Sequence, residues 1–341
     1  MKVMYRTLAV AVAAALVVPT QATFAQDENL TEEVVVIGTR TEGRSALDSP
    51  APVDVIGGET MSNQGDTDMS NLLRNVVPSY NVNDQPISDA ATLVRPANLR
   101  GLAPDHTLML VNGKRRHRAS VITWLGNGIS NGSQGPDAAA IPALALKRIE
   151  VLRDGASAQY GSDAIAGVMN FVLNDAREGG SVEVRYGEYN EGDGEQVTIA
   201  GNIGLPLGDS GFLNLTAEWG ESDPTSRSEQ RADAQGLIDD GYQNVPVPAM
   251  IWGRPIVSDD MKLWANFGVD LSDTLELYGH ANYNSKEVDG GFFFRNPTNR
   301  GAVYSGDGGA TLLIGDLAPN DGVDCPVVTM NGNIPDGDAF A

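Results

Sequence analysis

The chain has 341 residues, with 23 Lys and Arg against 45 Asp and Glu, for a formal net charge of −22. So acidic a balance argues against a nucleic-acid partner, whose phosphates call for a basic surface. A single cysteine, Cys325, and 3 histidines leave no internal disulfide framework or multi-cysteine zinc site, so neither metal nor cofactor is expected.

Residues 1–25 read as a secretory signal peptide. Lys2 and Arg6 form a positive start, Leu8 to Val18 is apolar, Pro19 breaks the run, and Thr23, Phe24 and Ala25 offer a cleavage site. The apolar run is too short for a membrane span, which takes about 20 residues. Cleavage after Ala25 is expected, and with it export.

Residues 26–50 read as a flexible segment with one ordered patch. Glu32 and Glu33 precede Val34, Val35, Val36 and Ile37, and Gly38, Thr39 and Arg40 follow. A lone strand this short cannot satisfy its own backbone. It either joins an internal sheet, which the pattern by itself favours, or adds to the sheet edge of a partner.

Residues 51–175 read as a small α/β module. Val53–Ile56 is a strand. Asp66 or Asp68 caps a short helix that buries Met69, Leu72, Leu73 and Val76, and Pro78 ends it. "TLMLVNG" (107–113) is a strand closing on an Asn-Gly turn. A Gly-rich loop at 126–135 is expected to hold little order. "RIEVLRD" (148–154) and "GVMNFVLN" (167–174) flank a turn of small residues.

Beyond 180 the texture changes to period-two alternation. Val182, Val184 and Tyr186 alternate with Glu183 and Arg185, and Leu213, Leu215, Ala217 and Trp219 with Asn214, Thr216 and Glu218. The same holds at 197–201, 263–271 and 274–284. Links at 205–210 and 271–274 are short, whereas 220–261 and the stretch after 289 are long and polar. Short links at one end and long ones at the other suit an antiparallel membrane barrel better than a soluble sandwich.

Two strings carry a hydrolase pattern. Gly128 to Gly132 spells G-x-S-x-G around Ser130, and Gly208 to Gly211 resembles a serine-protease string around Ser210. The first needs a strand before it and a helix after it, and lies instead in a loop. A secreted serine hydrolase is therefore the weak alternative, and the chain reads as a non-enzyme.

"EEVVVIGTR" (32–40), "LRGLAPDHTLMLVNGKRRH" (99–117) and "AIPALALKRIEVLRDGASAQYGSDAIAGVMNFVLN" (140–174), with the alternating strands after 180, resemble the TonB-dependent outer-membrane receptors of Gram-negative bacteria. The resemblance makes 32–40 a TonB box, with Glu32, Glu33, Val34, Val35, Val36 and Ile37 leaving the barrel to pair with TonB. That reverses the preference for an internal strand. It makes 51–175 a plug domain and 181–341 the first part of a barrel of about 22 strands, of which about five are visible. Arg100 and Arg153 match the two plug arginines that in this family lock onto barrel glutamates, a task suited to guanidinium. Lys114, Arg115, Arg116 and His117 form a basic run that, with Tyr160, is a candidate ligand-facing apex; a solvated turn or salt bridges to the wall is the plainer reading.

The function implied is uptake of a scarce extracellular ligand across the outer membrane, by plug gating energised through TonB and its inner-membrane complex. A ferric siderophore is the first expectation, with cobalamin, haem, oligosaccharide and peptide as others. A passive outer-membrane porin or an adhesin is the alternative without a TonB box. An open sheet in lipid would leave unpaired edges, so the chain is expected to continue beyond Ala341, with a partner for Cys325 in the continuation.

Overall fold

The computed structural model describes Ile37, residues 52–66, 68–82, 94–95, 97–123, 128–241, 245–272, 274–291, 294 and 296, and the backbone of 330–331 and 334–335. The expected signal peptide, positions 32–36 of the box and Cys325 lie outside the described residues.

The first module is built as its sequence asks. β1 (Val53–Gly57) is followed, after a short helical turn, by a helix at Met69–Val76. Asp68 caps that helix, its side chain accepting from the Ser70 amide at 2.8 Å. Met69, Leu72 and Leu73 share one face and are buried. β2 (Tyr80–Val82) pairs with β3 (Ala97–Leu99) as a two-stranded ribbon that the sequence did not signal, three residues being too few to show a period. β4 (Thr107–Val111) turns at Asn112-Gly113, both at positive φ (46° and 72°), into β5 (Lys114–Arg115). β6 (Leu146–Leu152) and β7 (Gly167–Leu173) complete the sheet.

Its strand order is β1-β6-β7-β4-β5, with β4 and β7 parallel and the other neighbours antiparallel. The helix and the β2–β3 ribbon join one side in the main core, around Met109, Ile149, Val151, Met169 and Phe171. A smaller cluster is formed by Ile37, Leu108, Leu110, Leu152, Ala164 and Val168. Such strands are buried on both faces, which is why β4 reads as nearly continuous apolar sequence. The loop at 126–135, expected to hold little order, has internal order over its described part. A 3₁₀ turn at Gly128–Ser130 is stapled by the hydroxyls of Thr123 and Ser133, which both donate to the Ser130 carbonyl.

The second sheet is an antiparallel meander ordered β12-β11-β10-β9-β8, with β8 at Gly180–Gly187, β9 at Gln196–Leu207, β10 at Gly211–Ser222, β11 at Ile256–Ser272 and β12 at Leu275–Asp289. This is the opening of a barrel wall, not closed among the described residues. Outward positions carry Val182, Val184, Tyr186, Ile199, Ile203, Leu215, Leu263, Leu277 and Tyr283, all exposed. Inward positions carry Asn202, Asn214, Thr216, Glu218, Lys262, Trp264 and Asn266, all buried. β11 and β12 run to 17 and 15 residues, longer than the ten or so their alternation suggested. The stretch 256–261, read as loop, is strand. Its Asp259 and Asp260 hide the period because a barrel strand continues past its apolar band. Short links lie at one end of the wall (208–210, and between the paired Ser272 and Leu275), and the longer connections between β8 and β9 and between β10 and β11 at the other.

Candidate functional site

Ile37 is 1% exposed, seated among Leu108, Leu110, Leu152, Ala164 and Val168. Arg153 and Arg100 stand at the sheet end that carries Leu152 and Gly167, away from the Asn112 turn. Each faces a carboxylate of its own module. Arg153 Nη2 donates to Asp54 Oδ1 at 2.9 Å, and Arg100 Nη1 lies 3.8 Å from Asp154 while donating to the Ala166 carbonyl at 3.4 Å. Arg100 adopts φ +57°, unusual for a residue with a side chain.

The basic run does not act as one surface. Arg115 and Arg118 both address Asp163, and Arg115 also donates to the Tyr160 carbonyl at 3.4 Å. The Tyr160 ring packs on the Ile37 cluster. Lys114 lies 5.5 Å from the Tyr278 ring centre on β12. Arg116 turns inward: it is 8% exposed, stacks 5.2 Å from the Trp264 ring centre and donates to Asn282 Oδ1 at 3.2 Å. Burial lowers the Arg116 pKa, and burial together with the Arg116 charge lowers that of His117. Ser130 is buried, its hydroxyl accepting from Asn98 at 3.2 Å, and the Ser210 hydroxyl donates to the Asp270 carbonyl at 3.3 Å within a hairpin turn.

Besides Lys114 and Arg116, neutral amides and one indole join module and wall. Asn112 Nδ2 donates to Asn266 Oδ1 at 3.0 Å, Asn266 Nδ2 to the Asn174 carbonyl at 3.0 Å, and Asn174 Nδ2 to Asn202 Oδ1 at 3.5 Å. Trp264, 3% exposed, belongs to the main core and donates from Nε1 to the Ala140 carbonyl at 3.1 Å.

At the end with the longer connections the two parts separate around a cavity of about 460 Å³. The module contributes Asp68, Asn71, Arg74 and Arg95; the wall and its connections contribute Tyr189, Glu218, Trp252, Arg254, Asp260, Lys262 and Lys286. Arg254 stacks 5.5 Å from the Tyr189 ring centre. Burial would raise the pKa of Asp68, but Arg95, Lys286, Lys262 and the Ser70 amide outweigh it and hold the group at about 2. Asp137 shifts the other way: burial and the nearby Asp68 charge raise it against the pull of Lys286. None of these cations was singled out from sequence. Each stands alone in its own segment, and the alternation read at 263–271 and 274–284 stops short of Lys262 and Lys286.

The family model described as the TonB-dependent receptor plug domain matches residues 45–168. The vitamin B12 transporter of Photobacterium profundum is 29% identical over 261 residues, covering 76% of this chain and 38% of that protein. The ferrienterobactin receptor of Escherichia coli is 26% identical over 275 residues, covering 78% and 33%. A solved ferric enterobactin receptor of Pseudomonas aeruginosa, in complex with enterobactin, matches with a TM-score of 0.52 at 20% identity over 70% of this chain and 33% of that one, a likeness of fold. The chain spans about a third of the length of these proteins.

Proposed function

This chain belongs to the TonB-dependent receptors, carrying their plug domain and the first strands of their barrel, and we propose that it serves energised uptake of a ferric siderophore across the outer membrane. The observation that carries the proposal is the cavity shared by plug and wall at the end with the longer connections. Extracellular loops are the long ones in such barrels and periplasmic turns the short ones. Arg74, Arg95, Arg254, Lys262 and Lys286 supply positive charge there beside the carboxylates of Asp68, Glu218, Glu221 and Asp260, and Tyr189 and Trp252 supply ring faces. An anionic chelate with apolar or aromatic arms finds both in one place.

Ligand in this cavity touches plug and wall together, so binding biases how the plug sits. At the other side of the plug, Ile37 is docked in the small cluster. Freeing it for a partner exposes a fully buried Ile, a cost of about 1.5–3 kcal/mol that loosened packing reduces. Residues 32–37 then pair with TonB by strand addition, with backbone hydrogen bonds giving the grip and alternating side chains the register. The inner-membrane complex supplies the pull. Arg100 and Arg153, at the sheet end remote from the amide contacts, hold barrel glutamates in this reading. The chain reaches the outer membrane by a signal peptide cleaved after Ala25, and outward Val182, Val184, Leu215, Leu263 and Tyr283 meet lipid.

The test is a receptor-deletion strain given a panel of ferric chelates, cobalamin and glycans, with uptake measured for each. Loss of uptake of one ferric chelate, restored by the full-length gene, is expected. Unchanged uptake of every ferric chelate would overturn the siderophore assignment.

A further inference from the structure

The cations around the cavity are not equally free. Lys262 is 5% exposed, with Nζ 2.7 Å from Glu218 and 3.7 Å from Asp260, and Lys286 lies 3.4 Å from the same Asp260, so wall carboxylates match both. Arg95 pairs with Asp68 within the plug. Arg254 differs. Among the described residues its only ion pair is with plug Asp66, 3.7 Å from Nη2 and beyond hydrogen-bond distance. Other contacts fix its aim. Nη1 donates to Gln196 Oε1 at 3.1 Å, the Tyr189 ring backs the guanidinium with its centre at 5.5 Å, and the backbone amide donates to Thr225 Oγ1 at 2.8 Å. Gly253 permits that close approach, since a Cβ there would lie 1.6 Å from the Thr225 carbonyl oxygen. Arg254 lines the cavity, whereas Asp66 does not. Asp66 is held in place on the plug: Oδ1 accepts from the Asp68 amide and Oδ2 from Asn71 Nδ2, each at 2.9 Å, and its carbonyl accepts from wall Arg185 Nη1 at 2.6 Å.

We infer that Arg254 reads the negative charge of the ligand, and that plug Asp66 sets how strongly it does so, as the carboxylate from which an anion must draw the guanidinium. This role rests on the cavity being the ligand site. A ring-backed guanidinium presents planar donors that suit an oxyanion, and Nη2 is the edge for which Asp66 and the anion compete. A loose, part-exposed pair adds little to stability, so its consequence is selectivity. Asp66 weakens the hold on anionic chelates and leaves uncharged ones alone. Because Gln196, Tyr189 and Thr225 already aim Arg254, loss of the Asp66 charge strengthens anion binding, the reverse of what loss of an ordinary contact does.

The experiment uses the full-length receptor in bilayers, with a trianionic ferric tris-catecholate and an uncharged ferric trihydroxamate as probes. Asp66→Asn removes the charge and keeps an acceptor for the Asp68 amide, and its new amide group can donate to Asn71 Oδ1, which is buried without a partner. This variant binds the tris-catecholate about twofold to fivefold more tightly and the trihydroxamate as before. Arg254→Gln leaves the helix start untouched and weakens tris-catecholate binding. Combined with Asp66→Asn, it cancels the gain. A gain of the same size without Arg254 belongs to the general field of the carboxylate and overturns the assigned role. Unchanged or weaker tris-catecholate binding by a folded Asp66→Asn receptor overturns it too, as does full binding by Arg254→Gln. The ligand-free protein gives a separate readout: phenylglyoxal modification of Arg254, identified by peptide mass, is faster in Asp66→Asn than in the parent. A receptor that binds neither chelate counts against the cavity reading alone. The modification rate then decides: equal rates overturn the role of Asp66, and a faster rate in the variant supports it.

Discussion

Trp264 shows how one side chain ties two parts of the molecule together. Its ring is buried in the plug core from a position on the barrel wall, with Arg116 stacked over it and the indole N–H on the Ala140 carbonyl. Trp264→Ala removes a buried ring that joins wall to plug core and is expected to destabilise the plug by about 3–5 kcal/mol, read as a lower urea midpoint for plug unfolding in the full-length receptor. Trp264→Phe keeps the ring and loses the hydrogen bond, for about 1 kcal/mol. Asp68, which lines the cavity, and Asp137 give opposite pH signatures. Asp68 titrates near 2 in the folded plug against a usual 3.8. A lowered pKa contributes stability above the usual value that is lost as pH falls through the folded one, here about 2 kcal/mol between about pH 4 and pH 2. Asp137 is raised, so its contribution is greatest when it is protonated and is lost as pH rises through its folded pKa. Asp137→Asn mimics the protonated group and keeps an acceptor for the Ala139 amide. It is expected to raise plug stability at pH 7, and an unfolding midpoint at or below that of the parent would refute this.

At the scale of elements, the wall strands were the most legible part of the sequence, because an apolar outer face and a polar inner one impose a period of two. Leu213, Leu215, Ala217 and Trp219 alternate with Asn214, Thr216 and Glu218, and the structure places the second set inside. The consequence is asymmetric. Leu215→Arg puts a charge in the lipid band and is expected to cost about 2–4 kcal/mol of folding stability in bilayers, whereas the same change at Glu218, beside Lys262, disturbs ion pairing and leaves insertion intact. Equal insertion of both variants would contradict the assigned faces. The same rule explains what was misread. Where Asp259 and Asp260 occupy a strand beyond the apolar band, polarity reads as loop. Trp264 reads as an apolar residue on a polar face, and no pattern says that its inward neighbour is a protein core. The plug strands were found from apolar runs and the Asn112-Gly113 turn, while the β2–β3 ribbon was too short to find. The basic run 114–118 is conspicuous in sequence, yet it divides between Asp163, Tyr278 and Trp264. The cavity's cations come from distant segments and become a group only through folding.

The whole molecule is organised around two separated regions of one plug. At the end with the longer connections, plug and wall share a charged cavity. Elsewhere, Ile37 closes a small apolar cluster against the strands that carry Leu108 and Leu152. Plug and wall also meet through neutral amide contacts, Asn112 to Asn266 and Asn174 to Asn202, which neither salt nor pH titrates. An account in which ligand at one region releases a strand at the other stands or falls on the role of residues 32–37. The direct measurement is uptake of a radio-iron-labelled chelate by cells carrying the full-length receptor with residues 32–37 deleted, beside the intact receptor at equal surface abundance and equal chelate binding. Binding retained with uptake reduced to background is the expected result. Uptake persisting at the intact rate would contradict energy coupling through this segment and return the protein to a passive pore.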